Sequence, residues 1–336
     1  MRKLALMVLG SAALIARADD GFVLNDAKGD HLDVLCGGKI IARYMYAHDV
    51  TTPAKRLETY KPFLHVFDPT GTAPITKGPG GDFTHHRGIF IGFMKITVNG
   101  QSYDRWHMKG GDQIHQSFSG EKSGKDGASF VSHVNWMDAG DKPIIEEKRT
   151  LSFLPPPAPA YAMIDMVSNL KAVAGETKLD GDPEHAGLQY RPANEVDRKK
   201  TMYFFPVENP NPHKDKDYPW FGETYEIKGK RYSVVFLNHP SNPTNAAISA
   251  YRDYGRFGVF PKAVIPAGGT QTIRARFLIC EGEMPSAEIA QKAWNEYAGE
   301  NRPTPKMTSR PAEYGKSPDE KSKAAAKKPA AEPKKP

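Results

Sequence analysis

The sequence predicts an all-β fold, a large antiparallel β-sandwich with one C-terminal helix, and three observations lead to this prediction. Hydrophobic residues make up 39% of the 336-residue chain and aromatic residues 10%, which is enough for a packed core. The 30 glycines and 28 prolines favour short strands and turns over a helical bundle. Apolar and polar side chains alternate in residues 272–279, which is typical of a strand with one face on a core.

Seven segments have the β-branched and aromatic composition that is typical of strands. They are residues 39–46, 89–98, 129–137, 145–154, 161–170, 232–238 and 270–280. The dipeptide Asn99-Gly100 follows the second of them and predicts a tight β-hairpin turn.

One helix is predicted near the C-terminus, over residues 286–300. Ser286 follows a proline and can cap the first turn of this helix through its hydroxyl oxygen. The spacing of the apolar residues gives the helix one face that we expect to pack against the sheet. This face consists of Ile289, Ala293 and Tyr297, with Ala290 and Trp294 beside them.

Both ends of the chain are predicted to lie outside the folded domain, which spans residues 19–300. Residues 1–18 have the basic start, the apolar stretch of about a dozen residues and the Ala-x-Ala ending of a secretory signal. We therefore expect cleavage after Ala18 and a secreted or periplasmic protein, with a buried N-terminal helix as the alternative. Residues 301–336 are rich in Pro, Lys, Ala and Glu and are predicted to form a disordered tail.

The basic character of the chain belongs to its two ends. The formal net charge is +7, but residues 19–300 contain 33 basic and 35 acidic side chains. A nearly neutral domain argues against a nucleic-acid partner. The tail could contact an anionic envelope surface, or it could be a solvated linker. The sequence has no run of about twenty apolar residues, so no transmembrane span is expected.

The only two cysteines are Cys36 and Cys280. In an oxidising compartment they could form a disulfide that closes a very long loop, and two separate buried thiols are the alternative. Neither cysteine has the C-x-x-C spacing of a metal or redox site, so neither is a catalytic candidate.

The candidate functional residues centre on eleven histidines. Imidazole is the commonest metal ligand, and its unperturbed pKa lies near working pH. A divalent metal is therefore a candidate cofactor, with His85, His86 and His115 as its predicted ligands. Consecutive residues of a strand point to opposite faces, so only one of His85 and His86 can line a given pocket unless the chain is irregular there.

Acid–base chemistry on a polar substrate is the reaction type that these residues suggest. An imidazole would act as the general base, and a guanidinium or a metal would stabilise the developing enolate oxygen. The predicted catalytic residues are His86, His185, Arg87 and Arg191. The predicted substrate-binding residues are His65, Asp82, Trp106, Gln189, Tyr190, His239 and Asn242. Trp106, Trp136, Trp220 and Tyr251 could stack on sugar rings or belong to the core, and His48, His133 and His213 are interpreted as structural.

The motifs KPFLHVFDPTG, DFTHHRGIFIGF, NGQSYDRW, EHAGLQYR, VVFLNHPSNP and PAGGTQTIRARFLICEGE occur in this order within residues 40–298. Together they resemble the PmoA family of bacterial secreted proteins. The resemblance implies a sugar-binding β-supersandwich of the galactose-mutarotase kind and a carbohydrate substrate. The family's methane-oxygenase name is not expected to apply, because a membrane-integral subunit needs apolar spans that this sequence lacks.

The resemblance carries over residue by residue to His65, His85, His86, Arg87, Trp106, His115, His185, Gln189, Arg191, His239 and Asn242. This chain has Asp82-Phe83-Thr84 where relatives often have another histidine after the aspartate. The set of metal ligands that the resemblance implies is therefore one short.

Three functions remain open from the sequence. The first is an enzyme that abstracts a proton from a sugar or oxidised sugar, with or without a divalent metal, and so causes epimerisation or elimination. The second is a non-catalytic glycan-binding β-sandwich. The third is a cell-envelope protein that is attached through its Lys/Pro-rich tail.

Overall fold

A computed structural model describes residues 21–313, so the predicted signal segment lies outside the described residues. The strands before the first long hairpin are β1 (Phe22–Ala27), β2 (His31–Cys36), β3 (Lys39–Met45), β4 (Phe63–Val66), β5 (Ile89–Phe93), β6 (Lys95–Val98) and β7 (Gln101–Tyr103). The central strands are β8 (Gln113–Gly124), β9 (Gly127–Met137), β10 (Pro143–Leu154), β11 (Ala160–Ala172), β12 (Thr177–Asp180), β13 (Ala186–Tyr190) and β14 (Met202–Phe205). The last strands are β15 (Trp220–Ile227), β16 (Lys230–Asn238), β17 (Ala247–Ser249), β18 (Phe257–Phe260), β19 (Ala263–Ile265), β20 (Thr270–Glu281) and β21 (Thr308–Pro311). The helices are α1 (Pro53–Thr59) and α2 (Ala287–Ala298).

The strands form three antiparallel sheets, which confirms the predicted all-β fold. One sheet has eight strands in the order β1-β2-β3-β4-β5-β13-β18-β17. The second has nine strands in the order β21-β14-β15-β16-β20-β11-β10-β9-β8, and the third has four in the order β19-β12-β6-β7. The predicted hairpin at Asn99-Gly100 is confirmed, since Val98 pairs with Gln101 and both turn residues have positive φ.

The two large sheets share one apolar core. Side chains of β9 alternate strictly between buried and half-buried positions, as the sequence pattern predicts for a strand with one face inside. Residues of both sheets contribute to the same buried cluster. Tyr44 of the eight-stranded sheet donates a hydrogen bond of 2.9 Å to Ser132 of the nine-stranded sheet, which joins the two layers through a buried polar contact.

Helix α2 lies where the sequence predicts it. The Ser286 hydroxyl oxygen accepts a hydrogen bond from the backbone N–H of Ile289, and the helix ends at Gly299 with φ of +68°. Its buried face consists of Ala290, Gln291, Ala293 and Trp294, so the face is turned slightly from the predicted one. The short helix α1 was not predicted, and none of its residues is buried.

The predicted boundary of the tail at residue 301 is corrected by the structure. Residues 308–311 form β21, which pairs with β14, and Arg252 forms a β-bridge with Glu313. Residues 301–313 therefore belong to the folded domain, whereas residues 314–336 lie outside the described residues. Within the described part of the chain, no helix is long and apolar enough to cross a membrane.

The two cysteines are not joined in this structure. Cys36 lies in β2 and Cys280 in β20, so they belong to different sheets. Burial raises the pKa of the Cys280 thiol to about 12, which keeps it protonated and unreactive.

Candidate metal centre

Three histidines from three separate segments meet beside the paired strands β5 and β13 of the eight-stranded sheet. His85 lies in the loop before β5, His107 follows β7, and His185 precedes β13. The ring centroids are 4.3 Å apart for His85 and His107, 5.1 Å for His107 and His185, and 6.3 Å for His85 and His185. One ligand atom of each ring lies within 4.8 Å of the other two, and all three side chains are half-buried. The cluster can therefore hold a metal ion that solvent or a substrate can reach.

Backbone contacts bring the segments of His107 and His185 together near the end of β5. Strands β5 and β13 are paired, and the backbone N–H of Met94 donates to the carbonyl of His185 at 2.9 Å. The segment of His107 crosses over β5, where the N–H of Arg105 donates to the Phe93 carbonyl at 2.9 Å. Gly92 permits this crossing, because a Cβ at that position would collide with the Arg105 carbonyl.

Two of the three imidazoles are oriented by aspartates. His107 Nδ1 lies 2.8 Å from Asp104 Oδ2, and His185 Nδ1 lies 2.7 Å from Asp182 Oδ1. Each aspartate precedes its histidine by three residues. A carboxylate that accepts the Nδ1–H fixes the ring and leaves Nε2 as the ligand atom, which is the usual outer-shell arrangement of metal-binding histidines.

The electrostatics of the cluster favour the uncharged imidazoles that bind metals. Burial lowers the pKa of His85, and the nearby Lys61 lowers it further. Burial also lowers the pKa of His185, although its contact with Asp182 acts in the opposite direction. Both rings are therefore free of the proton that a metal would have to displace at neutral pH.

His86 lies on the inner side of the cluster. Its ring centroid is 4.4 Å from that of His85 and 6.0 Å from that of Trp106, and its side chain is only 2% exposed. The two histidines are close because they lie in a turn, where Phe83 has φ of +53°, and not in a regular strand. Neither ring nitrogen of His86 has a hydrogen-bond partner among the described residues, and the same holds for Trp106 Nε1. Buried nitrogens normally have a hydrogen-bond partner, so these groups could bind a water molecule or a polar ligand.

The two arginines that were predicted to be catalytic have a different role in the structure. Arg87 is buried and donates to the carbonyls of His86 and Leu57 at 3.0 and 2.8 Å. Arg191 is buried and donates to the carbonyls of Pro192 and Tyr254 at 2.7 and 2.6 Å. Nη1 and Nη2 of Arg87 and Nη1 of Arg191 thus donate to backbone carbonyls, so both guanidinium groups anchor loops.

His115, a predicted ligand, lies outside the cluster. It is on β8 of the nine-stranded sheet, where its Nδ1 lies 2.7 Å from Ser132 Oγ and its ring packs on Phe118. The predicted set of His85, His86 and His115 therefore does not come together, and the histidines that could hold a metal are His85, His107 and His185.

The predicted substrate-binding residues are scattered. His65 contacts Thr76 and lines a separate cavity of about 510 Å³. Asp82 accepts a hydrogen bond from Arg198. Gln189 and Tyr190 are buried in β13, whereas His239 and Asn242 line a pocket beside α2.

The histidines interpreted as structural each contact one polar side chain. The pairs are His48 with Asp112, His133 with Ser119 and His213 with Glu313.

Of the two alternatives left open for Trp106, Trp136, Trp220 and Tyr251, the structure favours membership of the core. Trp106, Trp136 and Trp220 are fully buried, and Tyr251 is 5% exposed with its hydroxyl donating to Glu184. These rings belong to the interior and cannot stack on a sugar from outside.

His107 is the cluster residue that the sequence prediction missed. A signal for it does exist, because His85, His107 and His185 each follow an aspartate by three residues. The same D-x-x-H spacing also occurs at Asp112 and His115, but there the histidine lies in β8, and Asp112 instead contacts His48 and Arg56. The spacing therefore finds the cluster only when it is combined with a prediction of turns.

Two imidazoles outside the cluster predict a loss of stability in acid. Burial lowers the pKa of His65 and of His115 to about 4, whereas both have a pKa of about 6.5 in the unfolded chain. Between these values the unfolded chain binds more protons than the folded one, so the free energy of unfolding falls as the pH decreases from about 6.5 to about 4. Urea unfolding across this range measures the slope. The variant His65→Gln should reduce the slope, and an unchanged slope would contradict this assignment.

Comparison with known proteins assigns the chain to a family. The matching family model covers residues 31–295, most of the folded domain. The chain belongs to DUF6807, a family of unknown function. Neither this DUF6807 match nor the solved structures support the PmoA name that the sequence motifs suggested. A search of curated proteins finds no match to this DUF6807 chain.

Solved structures resemble the DUF6807 chain only distantly. Heparan sulfate lyase HepC from Pedobacter heparinus is 11% identical with a TM-score of 0.38, and the match covers 80% of this chain and 36% of the lyase. The Slr1438 protein from Synechocystis sp. PCC 6803 is 10% identical with a TM-score of 0.40, covering 82% and 100%. A candidate aldose 1-epimerase from Klebsiella pneumoniae is 11% identical with a TM-score of 0.39, covering 81% and 83%. This DUF6807 chain thus spans about a third of the lyase, and similarity at this level carries no inference about function.

Proposed function

We propose that this DUF6807 protein is a metal-dependent enzyme that abstracts a proton next to the carbonyl group of a sugar or oxidised sugar, leading to epimerisation or elimination. The observation that carries the proposal is the cluster of His85, His107 and His185 with its two orienting aspartates. Histidine nitrogens suit zinc and other divalent transition metals. A divalent metal, when bound, polarises a carbonyl oxygen and stabilises the negative charge that develops on it.

As a metal ligand, His185 cannot also act as the general base. Its Nδ1 is held by Asp182, and its other nitrogen belongs to the cluster. His86 is the remaining candidate of the two predicted bases. Burial and the neighbouring His85 lower the pKa of His86, so the ring is uncharged and one nitrogen keeps a free lone pair.

The burial of His86 fits a base that acts on an enclosed substrate atom. Its unpaired nitrogens and the unpaired Trp106 Nε1–H offer an acceptor and donors behind the three ligands. A hydroxyl or carbonyl oxygen of the substrate would satisfy the donors, and a C–H bond next to that carbonyl would then lie close to the base. The carbohydrate class of the substrate rests on the sequence resemblance to galactose-mutarotase-like proteins.

Proton abstraction is tested directly by solvent exchange. The protein is freed of metal, reloaded with Zn²⁺, Mn²⁺ or Co²⁺, and incubated in D₂O with a panel of aldoses, keto sugars and uronates. Nuclear magnetic resonance should show deuterium at the carbon next to the carbonyl only in the metal-loaded samples. The variant His86→Gln should bind metal normally and lose the exchange by about 100-fold or more, the range of general base catalysis.

A matched control is His133→Gln, which changes a histidine of the nine-stranded sheet that contacts Ser119. It should exchange at the wild-type rate. Exchange that persists after chelation, or that is equal in His86→Gln and wild type, would refute the proposed mechanism. Sugar binding without exchange would instead support the glycan-binding alternative.

A further inference from the structure

Lys77 lies at the centre of the loop that carries His85 and His86. Its side chain is buried, and Nζ donates to the carbonyls of Gly78 at 3.0 Å, Gly80 at 2.6 Å and His86 at 3.2 Å. An ammonium group has three N–H donors, and these three carbonyls satisfy all of them. The acceptors come from both ends of the loop, so the lysine joins its beginning to its end.

Lys77 has no carboxylate within 4.0 Å in the part of the chain that the structure describes. Arg149 shows the usual alternative, because this buried cation is paired with Glu147 at 2.7 Å. A buried ammonium whose direct hydrogen-bond partners are all backbone carbonyls is costly to bury.

The loop needs such a contact because its backbone is irregular. Gly80, Gly81 and Phe83 all have positive φ, between +53° and +81°. Few backbone hydrogen bonds hold this segment, namely those from the His86 N–H to Phe83 and from the Gly88 N–H to Lys77, both at 2.8 Å. Residues 78–82 have no strand partner among the described residues, so their path depends on side-chain contacts, which are the three bonds of Lys77 and the bond from Arg198 to Asp82.

We propose that Lys77 is a positioning residue, whose ammonium gathers the carbonyls of residues 78–86 and thereby holds His85 in ligand distance of His107 and His185. The inference rests on the metal site of the proposed function and is independent of the reaction catalysed there. Lys77 does not touch the metal position itself.

The test compares the full-length variant Lys77→Met with wild type and with Lys230→Met. Methionine has a similar length but no N–H donors, and Lys230 is an exposed lysine that lines the same cavity as Lys77. Measurements at pH 6.5 keep most of the amine charged, since burial lowers the pKa of Lys77 to about 7. Lys77→Met should bind Co²⁺ about 10–100-fold more weakly, the loss that is typical of outer-shell changes, and the visible spectrum of any bound Co²⁺ should change. Lys230→Met should match wild type in both respects.

Hydrogen exchange of the metal-free proteins separates this inference from the proposed function. Lys77→Met should lose protection in residues 78–88 while the strands of both large sheets remain protected. Wild-type Co²⁺ affinity in Lys77→Met, or loop protection equal to that of wild type, would overturn the inference. Uniform loss of protection throughout the chain would also overturn it, because Lys77 would then act on global stability. If wild type binds no metal, the proposed function fails, and the exchange pattern alone still decides whether Lys77 positions the loop.

Discussion

Replacing His107 with alanine is expected to lower the affinity of the protein for Zn²⁺ or Co²⁺ by more than about 100-fold, beyond the loss that removal of an outer-shell partner causes. The reason is that His107 lies between the other two ligands, with its ring centroid 4.3 Å from that of His85 and 5.1 Å from that of His185. Without it, two imidazoles 6.3 Å apart remain. Metal titration of the chelated protein, followed by elemental analysis of the dialysed samples, measures the effect.

His115→Ala is the matched control for this prediction. His115 also follows an aspartate by three residues, but it lies on β8 and contacts Ser132. Its loss should leave the metal content and affinity unchanged. Equal metal content in His107→Ala and wild type, or a loss in His115→Ala as large as in His107→Ala, would show that the cluster is not the metal centre.

Replacing Glu147 with alanine is expected to lower the free energy of unfolding by about 3–5 kcal/mol, the cost of leaving a buried charge without its partner. Glu147 accepts hydrogen bonds from Arg149 at 2.9 and 2.7 Å, from Trp136 Nε1 at 2.8 Å and from the Ser168 hydroxyl. Arg149 also donates to Pro62 at 3.1 Å, which connects the nine-stranded sheet to the segment before β4. The substitution leaves the Arg149 guanidinium uncompensated between the sheets.

Urea unfolding of Glu147→Ala, compared with Glu146→Ala, measures this effect. Glu146 is the next residue on the same strand, and its ion pair with Lys171 is exposed and 3.7 Å long. Its loss should cost less than about 1 kcal/mol, as is usual for surface pairs. Similar costs for the two variants would mean that the buried network does not stabilise the sandwich.

The fold was largely predictable because the period-two pattern of the long strands reports which face is buried. In β9 and β20 this pattern is visible in the sequence and is confirmed by the burial of alternate side chains. The short helix α1 was missed because it buries nothing and so carries no apolar pattern. The strand β21 was missed because its stability comes from pairing with β14, about 100 residues away in the chain, and not from its own composition.

The site was predictable only in part. The polar clusters around His85 and His185 indicated two of the three members of the cluster, although His185 was predicted to be a general base and not a ligand, and His107 was not predicted at all. Arg87 and Arg191 were predicted to be catalytic because sequence does not show whether a guanidinium faces a pocket or the backbone. Their burial against carbonyl oxygens is a tertiary property.

The pairing of residues 308–311 with β14 affects how separate copies of the protein meet. A free edge strand offers unpaired N–H and C=O groups on which another chain can add a strand, and this is a common route to aggregation. β21 covers that edge of the nine-stranded sheet and, with Arg310 and Pro311 in its own sequence, is a poor template for further pairing. The segment after α2 therefore protects this edge from intermolecular strand pairing. A chain shortened to residue 300 would leave β14 as an unpaired edge strand that other copies could extend.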